Sequence, residues 1–139
     1  MTLQLRHVDV NYVQQVWPSV ERYLVESLEM DPGSAEYNIH HVRQFVVSGQ
    51  WLLLAAIDDE GQIHGAATVS FTNYPLHRVA FMTTTGGKFV ANPEMFEQFV
   101  EIVKQLGATK VQAFCRESMV RLLDKCGFKH RTNLVEVLL

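Results

Sequence analysis

An α/β (α+β) fold, with a central sheet flanked by helices, is predicted by three observations. Helical apolar periodicity recurs over 10–28, 39–46 and 95–106, and apolar runs of strand length bounded by turn residues lie at 51–57 and 62–71. Read along the chain, these segments and the shorter ones between them give the order β-α-α-β-β-β-α-β-α-β. A length of 139 residues suits one domain spanning 1–139.

Leu3 and Leu5 alternate with polar neighbours, the period of a short half-buried strand. Asp9 then offers a helix cap, and Val10, Val13, Val16, Val20, Leu24 and Leu28 share one helical face. Pro18 lacks a backbone donor and clashes with the preceding turn, so two helices or one kinked helix are expected, ending before a turn at Asp31-Pro32-Gly33. Ser34 is a suitable cap for the next helix, which turns Ile39, Val42, Phe45 and Val46 inward and stops near Gly49. Residues 51–57 and 62–71 form a hairpin about the Asp58-Asp59-Glu60-Gly61 turn, and a third strand is expected at about 77–84.

Residues 83–92 contain Gly86-Gly87 and read as a loop into a helix that Asn92 caps, with Pro93 in its first turn. Met95, Phe96, Phe99, Ile102, Val103 and Leu106 form its apolar face, and Gly107 ends it before a strand at 109–115. A short helix over 117–126 closes at Gly127, and the segment NLVEVLL at 133–139 reads as a final strand.

Composition excludes several function classes. Hydrophobic residues make up 47% and charged residues 19%, enough to bury a core, and the net charge of -3 supplies no excess of cations for a phosphate backbone. Nucleic acid is therefore not an expected partner. The N-terminal stretch shows no secretory signal and no apolar run approaches the roughly 20 residues that cross a bilayer, so an intracellular, cytoplasmic protein without a membrane partner is expected. Cys115 and Cys126 are too few for a disulfide framework and eleven apart, which is no zinc spacing. Adjacent His40 and His41 point about 100° apart on a helix, and His7, His64, His77 and His130 are scattered, so no metal is expected. Trp17, Tyr23, Phe45 and Trp51 read as core aromatics.

The element order, together with RESMVRLLDKCGF at 116–128, resembles the GCN5-related N-acetyltransferase superfamily, in which a mixed sheet is splayed in its middle to admit an acyl-coenzyme A. Leu122, Lys125, Gly127 and Phe128 match the superfamily's Leu-Tyr-x-Lys-x-Gly-Phe ending. More narrowly, WLLLAAIDDEGQIHGAATV, TGGK, LGATKV and CRESMVRLLDKCGF resemble small acetyltransferase-like proteins of tailed bacteriophages and prophages. The wider resemblance implies acetyl-coenzyme A as donor and an amine as acceptor. The narrower one implies an alternative, a catalytically inactive protein that binds a phage structural or assembly protein, in the host cytoplasm or the virion.

The resemblance also points to a donor site. Backbone groups of the strand around Phe81, Met82 and Thr83 would pair with the donor's pantetheine arm. Thr83, Thr84, Gly86, Gly87 and Lys88 would form a remodelled phosphate cradle, with glycines allowing close approach and Lys88 supplying a point charge. The competing reading makes Gly86-Gly87 a turn ending a strand. The superfamily's Arg/Gln-x-x-Gly-x-Gly/Ala spacing is missing here, as is its strand glutamate, for which His77 is the nearest substitute. Leu123 stands in the place of the acid tyrosine, Arg116 in that of an asparagine and Met119 in that of an alanine. Ser118, Cys115 and Cys126 carry exchangeable protons, but no residue is assigned a catalytic role.

Overall fold

The computed structural model describes residues 2–30, 36–89 and 92–139. Strand β1 (Gln4–His7) leads through a 3-10 turn at Val10–Tyr12 into α1 (Val13–Met30), followed by α2 (Ile39–Val47). The strands β2 (Leu52–Ile57), β3 (Ile63–Asn73) and β4 (Arg78–Gly87) come next, then α3 (Pro93–Gln105), β5 (Lys110–Ala113) and α4 (Glu117–Asp124). The five strands lie in chain order in one sheet, antiparallel from β1 to β4 and parallel between β4 and β5. The mixed α/β fold is thus present.

The unbroken apolar run of β2 is explained by helices on both faces of the sheet. Leu53 and Ala55 face a core built from Val13, Trp17, Val20, Leu24, Val42 and Val46 of α1 and α2. Leu54 and Ala56 face the opposite core, with Met95, Phe99 and Val103 of α3. Gln98 of α3 also closes the free edge of β1: its Oε1 accepts the Leu5 N–H at 2.7 Å and its Nε2 donates to the Leu3 carbonyl at 3.2 Å. An edge strand with these groups occupied offers less to a foreign strand.

Several expectations change. Of the two readings of Pro18, a single helix is found. The proline lies near its start, where the carbonyl four residues back belongs to exposed Gln14, and burial of Trp17, Val20 and Leu24 offsets the lost bond. Asp9 caps the 3-10 turn rather than α1, accepting from the Asn11 N–H. Asp31-Pro32-Gly33 and Ser34 lie outside the described residues; α2 is capped by Asn38, whose Oδ1 accepts from His40 and His41 N–H.

The third strand does not stop at 84, and residues 83–87 are strand rather than loop. Gly86 is what lets it continue, because a Cβ there would strike the Tyr23 carbonyl of α1, so α1 packs its backbone directly on β4. The final strand is also absent: residues 129–139 carry no regular structure and are exposed throughout. Local alternation gives NLVEVLL a strand tendency, but a strand needs a paired edge, and none meets it among the described residues.

Candidate functional site

β4 meets β3 along its whole length but meets β5 only from Val79 to Met82, opposite Lys110 to Ala113. Beyond that point the strands part. In the β3 register Val69 faces Met82 and Thr68 faces Thr84, so Thr83 is an extra residue, a bulge that bends β4 where β5 leaves it. The bulge is pinned by buried hydroxyls: Thr68 Oγ1 bonds both Thr83 Oγ1 and Thr84 Oγ1. Tyr37 donates its hydroxyl proton to the Thr83 carbonyl at 2.7 Å, and the Thr85 N–H donates to Ser27 Oγ of α1 at 3.0 Å.

Between the parted strands lies a cleft of about 380 Å³, within the range of small-molecule sites. Its floor is Met82, Thr84, Thr85, Gly86 and Gly87 of β4. Glu26, Ser27 and Met30 of α1 form one wall, and Phe114, Cys115, Arg116, Met119, Leu123 and Cys126 form the other. The end is closed by Phe96 of α3 against Phe128, with ring centres 4.9 Å apart.

The cleft gathers much of what the sequence singled out. Met82, Thr84, Gly86 and Gly87 line it, as do Cys115, Cys126, Arg116, Met119 and Leu123. Thr83 turns its hydroxyl to Thr68, and exposed Lys88 follows the end of β4, its N–H donating to the His64 carbonyl at 2.9 Å. His77 precedes the far end of β4, about five residues or roughly 16 Å of strand from Met82, and its Nδ1 is hydrogen-bonded to Thr109 Oγ1 at 3.0 Å. Glu26, Ser27 and Met30 carry no local signal of a site, because only the docking of α1 on β4 brings them there. Burial pushes the Cys126 thiol above its ordinary range.

The N-terminus of α3 has little left to give an anion. Asn92 Oδ1 accepts from the Glu94 and Met95 N–H groups, the Phe96 N–H donates to the Asn92 carbonyl, and Pro93 has no N–H. Pro93, Glu94 and Met95 are three of the four positions whose amides a helix start leaves unpaired, the fourth being the Asn92 cap itself, and the Phe96 bond is the first regular one of the helix. Glu94 adds a negative charge in the first turn, where it favours the helix dipole but opposes a phosphate.

Two of the remaining histidines have structural partners near their own turns. His41 Nδ1 accepts the Asn38 N–H in a capping box, and His64 Nε2 lies 2.7 Å from Asp58 Oδ2 beneath the β2–β3 turn. Asp58 Oδ1 accepts from Glu60 and Gln62 N–H, and these bonds, the His64 contact foremost, hold its carboxyl below the usual carboxylate range. Among the described residues no three His, Cys, Asp or Glu side chains come together as a metal site. Nor is any described helix long and apolar enough to cross a membrane.

No protein-family model and no curated protein matches the chain. Its architecture does match solved structures. A predicted acetyltransferase from Clostridium acetobutylicum, solved with acetyl-CoA, superimposes with a TM-score of 0.65 at 15% identity, over 99% of this chain and 96% of that one. An aminoglycoside acetyltransferase from an uncultured soil metagenomic sample, solved with sisomicin, gives 0.69 at 12% identity over 99% and 95%. Glucosamine-6-phosphate N-acetyltransferase from Arabidopsis thaliana gives 0.60 at 12% identity over 99% of both. At these identities the likeness is one of fold: the chain shares its mixed α/β architecture with these acetyltransferase structures.

Proposed function

We propose that this protein transfers an acyl group from a coenzyme A thioester to an amine. The observation that carries this reading is the parting of β4 from β5 after Met82 and Ala113, which opens a cleft floored by strand in an acetyltransferase fold. Met82, Thr83 and Thr84 border the pantetheine arm, and Gly86 and Gly87 leave room for close approach. Because α3 holds no spare amides, the donor's phosphates rely on Lys88 and Arg116 as point charges.

In the reaction the ammonium loses one proton before attack and a second after it: the amine nitrogen bonds to the thioester carbonyl carbon, the carbon–sulfur bond breaks, and the departing thiolate takes up one proton to become the free thiol. Glu26, the carboxylate in the cleft wall, accepts the proton from the ammonium. The departing thiolate takes its proton from solvent, because the Cys126 thiol in the cleft wall is made a weaker acid than an ordinary thiol by burial. Strand amides near the bulge stabilise the oxyanion. Calorimetric titration with acetyl-CoA tests the reading: saturable micromolar binding that the exposed substitution Lys88→Glu weakens supports it, whereas no binding at millimolar donor sinks it.

A second reading draws on a different observation. Leu134, Val135, Val137 and Leu138 are all exposed and strand-prone, and a second protein could cover them. This suits the alternative of a non-catalytic component that binds a phage structural or assembly protein. Copurification in fixed stoichiometry with phage particles or assembly intermediates is its expected result, and absence from both counts against it.

A further inference from the structure

The cleft wall is more apolar than an acetyl group requires. Of the chain's five methionines, three converge on it: Met30 from α1, Met82 from β4 and Met119 from α4. They arrive from separate elements, so no single helix's core-facing stripe accounts for their meeting. Phe114 and Phe128 stand beside them. Folding leaves part of this wall wet, since Met30 is 54% and Phe114 47% exposed. Unbranched thioether side chains adapt to irregular apolar ligands, and wet apolar surface gathered at a cleft marks a ligand or partner site.

The charges in the lining point the same way. Glu26 and Arg116 are its ionised groups and oppose each other in sign, so the part of a ligand held between the walls is best neutral. With the α3 amides already satisfied by Asn92, the cleft recognises its ligand mainly through apolar contact.

We propose that the cleft takes an acyl group several carbons longer than acetyl, its chain lodged among Met30, Met119 and Phe114 while the thioester lies against β4. This rests on the acyltransferase reading and gives it a donor class. Each methylene moved from water into a fully apolar wall raises affinity about fourfold. An open cleft captures part of that, so a rise of about tenfold or more is expected across the six methylenes separating acetyl from octanoyl.

The test is calorimetric titration of the purified protein with coenzyme A and its acetyl, butanoyl, hexanoyl and octanoyl thioesters, all below micelle-forming concentrations. Affinity should climb with chain length. Met30→Asp, at an exposed position, and separately Met119→Asp should each bring the octanoyl-to-acetyl affinity ratio toward one, with thermal melts confirming the fold. A flat or falling series in a protein that still binds coenzyme A and acetyl-CoA overturns the chain-length inference and leaves the acyltransferase reading standing. Failure to bind every member, coenzyme A included, overturns both. A climb that neither variant reduces removes the methionine wall as its cause.

Discussion

The two edges of β4 share one strand and have opposite fates. Toward β3 the strand is paired from Arg78 to Gly87, its hydroxyls are bonded to Thr68, and its glycines are pressed against α1. Toward β5 the pairing ends at Met82, and past that residue the edge borders a cleft walled by methionine and phenylalanine. Saturated pairing makes the first edge a support; incomplete pairing leaves the second free to receive a ligand. Substitutions on the support should therefore be read in stability, and those in the cleft in binding and turnover.

The largest effect expected is in the cleft. Glu26→Gln removes the proposed base and should slow amine acylation about 100-fold, measured as thiol release at saturating acyl thioester. An unchanged rate would hand the proton to solvent. On the supporting edge, Gly86→Val drives a side chain into the Tyr23 carbonyl and should cost about 3 kcal/mol, read in denaturant melts. A loss below about 0.5 kcal/mol would mean that α1 moves off β4 freely. Thr68→Val deprives the Thr83 and Thr84 hydroxyls of their shared partner, and a loss of about 1–2 kcal/mol is expected in the same assay.

Away from β4 the effects shrink. Asp58 has a folded pKa held below its unfolded value, so its contribution is present above the ordinary carboxylate pKa of about 4 and disappears as pH falls through the lowered folded value. Asp58→Asn should accordingly melt below the parent at pH 7, with the gap closing under acid; a gap that stays constant with pH would detach it from this carboxylate. Deleting residues 133–139, exposed throughout, should shift stability by no more than about 0.5 kcal/mol. A larger loss would show that the segment packs against its own chain in solution.

Much of the fold is legible because it depends on local chemistry. The apolar stripes of α1 and α3, the Asn92 cap and the hairpin at Asp58 to Gly61 all stand where residue periodicity and turn chemistry put them. Legibility fails where a distant segment casts the deciding vote. Gly86-Gly87 reads locally as a turn, yet the docking of α1 makes it strand; NLVEVLL reads locally as a strand, yet no edge among the described residues receives it. Pro18 reads as a break or a kink, and packing of the surrounding face carries one helix through it.

The same division holds for the site. Met82, Thr84, Gly86 and Gly87 are visible as strand and glycine signals, and Cys115, Arg116, Met119, Leu123 and Cys126 stand out against the superfamily pattern. Glu26 and Met30 are not visible, since 56 residues separate Glu26 from Met82 and nothing in either neighbourhood refers to the other. Hydrophobic period and backbone capping, which act over a few residues, specify the helices, most of the strands, the caps and the mixture of two faces to bury. Tertiary structure alone decided where β4 bulges, how far β5 accompanies it and which wall of α1 faces the gap. Those outcomes depend on contacts between segments far apart in the chain, and it is these contacts that set the cleft's shape.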